Sequence, residues 1–292
     1  MPSVPVAPIA VTGATGALGG RVAARLAERG LAQRLVVREP SRAPQLPGAE
    51  VAQAAYRDAE AMRAALTGVH TLYLVSAGES ADRVTEHLTA VDAALAVGVR
   101  RIVYTSFLAA APDATFTFAR DHFHTEEHIR ATGAAHTFLR SSLYLDYVPF
   151  FCGADGVIRG PAGEGRVAVV ARDDIADVVT AVLTGDGHDG RTYDVTGREA
   201  LTMAEMAVQL GQAAGRPVAY EAETLEQARA SRAPSGAPAW EIEGWVTSYA
   251  AIATGEMDVV SDTVRRVAGH EPQTLSEWLP RNPQSYTHLR AD

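Results

Sequence analysis

PIAVTGATGALGGRVAARLAERG, residues 8–30, decides the fold. Residues 8–12 form a short apolar run with β-branched members, as a buried strand requires. Gly13, Gly16 and Gly19 follow at once, and Val22 and Leu26 then recur at helical spacing as far as Gly30, a helix stop. Strand, glycine turn and helix in that order make a dinucleotide-binding turn. Gly13 permits the tight bend, Gly16 lets the backbone approach a pyrophosphate, and Gly19 lets the helix pack closely on the sheet. The free amides and the positive helix end meet the diphosphate charge.

Outward from that turn the chain alternates. Strands are expected at 33–38, 49–53, 69–76, 100–106 and 135–140, with helices at 58–68 (Asp58 its N-cap), 81–98 and 119–132. Such alternation means βαβ units with right-handed crossovers. The expected fold is therefore α/β, a Rossmann-like doubly wound parallel sheet. Residues 1–140 form the dinucleotide-binding core. Residues 141–292 return a helix (173–185) and a strand (191–197) to that core and otherwise form a small C-terminal substrate-binding lobe, with a further helix at 201–215 capped by Thr202. Residues 141–172 carry little periodicity, 229–239 reads as loop, and the tail 285–292 reads as disordered.

Bulk properties narrow the partners. The chain has 292 residues, 47% hydrophobic, enough for a sizeable core. Its formal charge of -9 repels phosphate backbones, which argues against nucleic acid. No apolar run is long enough for a membrane span, and the N-terminus reads straight into a core strand rather than as a signal peptide. Cys152 stands alone, so neither an internal disulfide nor a cysteine metal cage forms, and a cytoplasmic setting is expected. All 26 basic residues are arginines, so no step that needs a lysine amine operates here.

The end of the second strand selects the cofactor. An acidic residue there suits the ribose hydroxyl of NAD, and an arginine suits the 2′-phosphate of NADP. Arg38 holds that place, with Glu39 and Arg42 behind it, so NADPH is the expected cofactor. A solvated surface arginine is the alternative reading of Arg38.

TGATGALG, VVREPSRA, the strand ending LVS, VYTS, DHFHTEEHI and FLRSSLY, in that order, resemble the atypical short-chain dehydrogenase/reductases. The nearest group is the NmrA-like and type-2 quinone oxidoreductase proteins, over about residues 8–215. The resemblance implies that Gly13, Thr15, Gly16, Ala17 and Leu18 hold the pyrophosphate and Arg38 the adenosine phosphate. Val75, Ser76 and Ala77 would line the cleft, and Thr105 and Ser106 would lie beside the nicotinamide ribose. Ser141, Ser142 and Leu143 would face nicotinamide and substrate. The place of Ser141 is an asparagine in the quinone reductases.

Ordinary members of that superfamily use a Tyr-x-x-x-Lys pair to protonate the new alkoxide. This chain has no tyrosine between 107 and 135 and no lysine; His122 and Glu126 take the two places. The candidate catalytic residues are therefore Ser106, His122, Ser141 and Tyr144. Three readings follow. In the first, the acceptor needs no strong protein acid, as with a quinone or an aromatic ketone beside a phenol. In the second, His122 or Tyr144 is the acid. In the third, no reaction occurs and the protein senses NAD(P) as a regulator of NmrA type. The first is preferred, with an angucyclinone-like aromatic polyketide ketone or a quinone as substrate. Leu143, Tyr144, Tyr147, Phe150, Phe151, Trp240 and Trp245 are available to stack on a flat ring system, or to serve as ordinary core.

One motif points elsewhere. His124-Thr-Glu-Glu-His128 matches the H-x-x-E-H pattern of inverted zinc peptidases. No third ligand is evident, and no metal is expected.

Overall fold

The computed structural model describes residues 9–289. The chain begins β1 (Ile9–Thr12), α1 (Ala17–Glu28), β2 (Gln33–Val37), β3 (Ala49–Gln53), α2 (Ala59–Leu66), β4 (Thr71–Leu74) and α3 (Arg83–Ala96). It continues with β5 (Arg101–Phe107), α4 (Thr117–Ala131), β6 (Ala135–Ser141), β7 (Val157–Gly160), β8 (Arg166–Val167), α5 (Arg172–Thr184) and β9 (Arg191–Val195). β10 (Leu201–Thr202), α6 (Met203–Ala214), β11 (Ala219–Ala222), α7 (Leu225–Arg232), α8 (Ala239–Ala253) and α9 (Leu275–Trp278) complete it.

Among the described residues, seven strands share one sheet in the order β3-β2-β1-β4-β5-β6-β9. β1 pairs in parallel with both β2 and β4, and the β2–β3 and β4–β5 pairings are parallel too. The chain runs outward from β1 to β3, then restarts at β4 on the other side of β1. That reversal is the topological switch point, where an open α/β sheet opens a crevice beyond its carboxyl ends. The mostly parallel sheet with flanking helices is the fold expected from the alternation of strand and helix.

The chain forms two compact units. The first comprises the stretch ending at Ser106, Asp121–Arg140 and Ile175–Tyr193; the second comprises Phe107–Arg120, Ser141–Asp174 and the stretch from Asp194 onward. A single cut at residue 140 misses the excursion at 107–120. Its reason is aromatic: Phe107 packs on Phe116 at 4.9 Å, Phe116 on Phe118 at 5.5 Å, and Phe118 on Trp240 at 5.9 Å, so these rings join the core of the second unit. The first unit has its own core around Leu66, Leu72, Val91, Ile102 and Phe138.

Three local expectations are corrected. Residues 229–232 are the last turn of α7, because Thr224 and Gln227 form a capping box and Arg229 grips Glu243 with two bonds of 2.8 and 2.9 Å. The tail is ordered as far as it is described: Pro283–Leu289 is a run of 3-10 turns that buries Tyr286 and Leu289. Residues 290–292 lie outside the described residues, as does Pro8 at the start of the expected first strand. The segment 141–172 has structure of its own, a 3-10 helix at Leu145–Phe151 with β7 and β8, too short to print a period in the sequence. No described helix is long and apolar enough to cross a membrane.

Candidate functional site

The turn after β1 is built for backbone approach. Gly13 sits at φ +61, a conformation that glycine alone adopts without strain. A Cβ on Gly19 would lie 2.4 Å from the Gly13 carbonyl oxygen and 2.8 Å from that of Thr12, so α1 rests directly on the end of β1. Gly16 is the N-cap of α1 and brings no side chain to cap it; its own amide closes the turn on Gly13 O at 2.8 Å. A cavity of about 410 Å³ opens over this turn. Gly13, Thr15, Gly16, Arg38, Val75, Ser76 and Ala77 line it, so seven of the expected cofactor residues meet there. Ala17 and Leu18 belong to the first turn of α1, with Leu18 turned into the core.

Among the members of that wall that sequence reasoning missed are Tyr56 and Arg57, which follow β3. The Tyr56 hydroxyl donates to the Val75 carbonyl at 2.6 Å and touches Thr12 Oγ1. Burial pushes that hydroxyl well above the usual tyrosine range and keeps it a donor. Thr12 Oγ1 accepts from the Val75 amide at 2.9 Å. Both polar groups of Val75 are thus held by side chains, one from the end of β1 and one from the segment after β3. Exposed Arg38 and Arg57 put two positive charges on the rim, while Arg42 lies 3.7 Å from Glu39.

Below the cavity wall the first unit is polar and closed. Thr105 and Ser106, expected beside the nicotinamide ribose, are each 1% exposed. Thr105 Oγ1 meets the Tyr73 hydroxyl at 2.8 Å, and Ser106 Oγ donates to Glu126 Oε1 at 2.6 Å. The fully buried Glu126 also takes two bonds from Arg140, at 2.8 and 2.6 Å, and one from Arg130 at 2.9 Å. His122 is 4% exposed. Its Nε2 accepts from Arg83 Nη2 at 3.1 Å, since a guanidinium only donates, and its Nδ1 faces the Tyr104 hydroxyl at 2.8 Å. Burial, with Arg83 adding, holds its pKa well below the usual histidine value, so the ring is neutral. His122 and Glu126, the two residues read into the places of the Tyr-Lys pair, both have their polar atoms engaged inside the core. In the sequence only Arg130, four residues after Glu126 on α4, signals a local partner; Arg83 and Arg140 come from other elements.

In the second unit Ser141 and Ser142 are buried, with the Ser141 carbonyl accepting from the Leu108 amide and the Ser142 amide donating to the Val195 carbonyl. Ser142 Oγ is a buried hydroxyl without a bonded partner among the described residues. Tyr144 stacks on Tyr147 with ring centres 5.9 Å apart. The Arg172 guanidinium lies over both rings, at 4.7 and 4.3 Å, and is steadied by Asp146. Tyr147 is 47% and Phe150 66% exposed, whereas Phe151 packs edge-on against Tyr249 and Trp240 against Phe118. Of the rings expected to stack on a ligand, Tyr147 and Phe150 present the largest free surface. Of the H-x-x-E-H motif on α4, His128 pairs with Asp92 at 2.7 Å and Glu127 with Arg130 at 2.5 Å.

Comparisons with known proteins agree with this frame. The (4-alkanoyl-5-oxo-2,5-dihydrofuran-3-yl)methyl phosphate reductase of Streptomyces griseus is 35% identical over 92% of this chain and 96% of its own length. The NAD(P)H azoreductase of Xenophilus azovorans is 32% identical over 92% and 96%. The crystal structure of the NADPH-dependent quinone oxidoreductase QOR2 of Escherichia coli, complexed with NADPH, superposes with a TM-score of 0.86 at 31% identity, covering 94% of this chain and 99% of that one. Residues 6–279 match the NmrA-like family, nearly the whole chain, and the chain belongs to that family.

Proposed function

We propose that this protein is an NADPH-dependent reductase that delivers hydride to a conjugated acceptor and lends that acceptor no strong protein acid. The cavity fits the cofactor on its own evidence: a turn that only glycine can form, an N-cap without a competing side chain, and two rim arginines suited to a 2′-phosphate. Bound there, the nicotinamide supplies two electrons and a proton as hydride. The chain's part is to hold and orient it, and to leave the acceptor beside it. Gly13, Thr15, Gly16, Ala17 and Leu18 are assigned to the diphosphate, Arg38 with Arg57 to the adenosine phosphate, and Val75, Ser76 and Ala77 to the wall.

The observation that carries the acceptor class is the burial of His122 and Glu126 with their polar atoms engaged. A buried histidine whose pKa is held well below its usual value, with both ring nitrogens engaged, is poorly suited to be the acid a simple ketone demands. A quinone, an azo bond or an acyl-substituted dihydrofuranone spreads the new charge over oxygen, nitrogen or an enolate, and water then supplies the second proton. These are the acceptors that the names of the relatives describe, and they support the reading. An aromatic polyketide ketone of angucyclinone type, its own phenol next to the carbonyl, falls within the same class. Ser106 and His122 are assigned to positioning, and on the resemblance alone Ser141 and Tyr144 are proposed to act on the acceptor.

The test is consumption of NADPH, followed by loss of the reduced-nicotinamide absorbance, against a benzoquinone, an azo dye, a phenolic polycyclic ketone and a simple aliphatic ketone. Turnover with the conjugated acceptors and none with the aliphatic ketone is expected. Tight NADPH binding with no turnover anywhere would favour the regulator of NmrA type. Preference for the aliphatic ketone would restore a protein acid.

A further inference from the structure

The loop after β4 forms one wall of the cavity, and one of its anchors is a histidine that the proposed reaction does not use. The Ala77 amide donates to His87 Nε2 at 2.8 Å. His87 lies on α3 and is fully buried. Its other nitrogen, Nδ1, is 2.9 Å from Thr125 Oγ1, and that hydroxyl donates its single proton to the Asp121 carbonyl at 2.8 Å. A hydroxyl whose proton is committed can only accept, so Nδ1 carries the hydrogen and Nε2 is left as the acceptor. A backbone amide can only donate. The two ends of the ring therefore demand the same tautomer. The Tyr104 hydroxyl, 3.4 Å from Nδ1, is too distant to compete. Burial, reinforced by the Arg83 charge, lowers the pKa of His87 to about 3, so no second proton reaches Nε2.

We propose that His87 is a positioning residue for the cofactor: as the neutral Nδ1–H tautomer it anchors the Ala77 amide and sets the cavity wall before the ligand arrives. Together with the Thr12 and Tyr56 bonds to Val75, it fixes the loop at two points, Val75 and Ala77. A wall ordered in advance spares the ligand the entropy of ordering it. The inference rests on the reading of this cavity as the NADPH site.

Two measurements test it. Long-range ¹⁵N–¹H correlation spectra of the whole protein at neutral pH read the tautomer of His87 directly. The proposal expects a protonated Nδ1 and a bare Nε2; an Nε2–H tautomer or an imidazolium overturns it. NADPH titration then compares wild type with His87→Ala, His87→Gln and Thr125→Val. His87→Ala is expected to weaken NADPH by about tenfold, with the Michaelis constant for NADPH rising far more than kcat falls. His87→Gln, which keeps an acceptor, recovers most of the loss, and Thr125→Val, which unpins the tautomer, loses about threefold. Should His87→Ala fail to fold, the latter two decide. Wild type that ignores NADPH removes the cofactor reading while the tautomer still stands. Wild type that binds, with all foldable variants binding equally well, removes the positioning role alone.

Discussion

The two units solve their tasks with opposite materials. In the first, the surface over the glycine turn is largely backbone, fixed by Thr12 and His87 from the buried interior and by Tyr56 from the wall itself. In the second, the candidate surface is made of side chains themselves: Tyr144 and Tyr147, steadied by the Arg172–Asp146 pair, and exposed Phe150, stacked on His288. A rigid backbone wall suits one invariant ligand, because its shape does not depend on rotamers. A face of aromatic rings suits acceptors that vary, because flat surfaces stack with little demand for exact fit. Relatives that share this fold and differ in acceptor are what such a division would produce.

The largest effect should come from breaking the first unit's interior. Glu126→Ala leaves Arg140 and the Ser106 hydroxyl without their buried partner, and a cost of about 3–5 kcal/mol in denaturant unfolding is expected. A change well under this would mean that the polar interior is wetter than drawn.

Acid should act next, and on the same unit. His87 is neutral in the folded protein with its pKa lowered to about 3, whereas the unfolded chain takes up a proton below its usual value near 6.5. Its contribution is therefore fully present above pH 6.5 and lost progressively as pH falls toward 3, a loss of about 2 kcal/mol at pH 5. His122 is shifted in the same direction and adds to it. Unfolding midpoints at neutral and mildly acid pH check this, and His87→Gln should flatten the slope.

The rim arginines should give a smaller, selective change. Arg38→Ala is expected to weaken NADPH by about tenfold, roughly 1.4 kcal/mol, and to leave NADH nearly alone, with Arg57→Ala doing less. Equal losses for both nucleotides would make these arginines general surface charges. The mildest effect should fall on the second unit. Tyr147→Ala removes an exposed ring worth about 1 kcal/mol of stacking, so the Michaelis constant should rise severalfold for a polycyclic acceptor and hardly for a benzoquinone.

The same contrast explains what was readable in the sequence. The first unit writes its structure locally: an apolar run, the spaced glycines 13, 16 and 19 and a 3.6-residue period stand within residues 8–30, and Arg38 directly follows the next strand. Asp58 capping α2 and Thr202 capping α6 were legible for the same reason, since a cap lies within three residues of its partner. Tyr56, Arg57 and His87 were not, because their partners are assembled by strand order rather than by neighbourhood. The second unit hid more. Its strands run two to four residues, and its helix α7 has the composition of a loop until the Thr224 capping box and the Arg229–Glu243 pair are seen. The excursion at 107–120 depends on rings that meet Trp240, far along the chain. His122 and Glu126 were found by their place in the motif, but their burial depends on Arg83 and Arg140, which that motif does not contain.

The central claim, hydride transfer to an acceptor that needs no protein acid, is tested most directly by single-turnover kinetics with a benzoquinone. NADPH deuterated at the transferred position should slow the reaction, while heavy water should leave the rate of the bound complex nearly as it was. A large solvent isotope effect that disappears in a variant of His122 or Tyr144 would contradict the account, as would bound NADPH that is never oxidised.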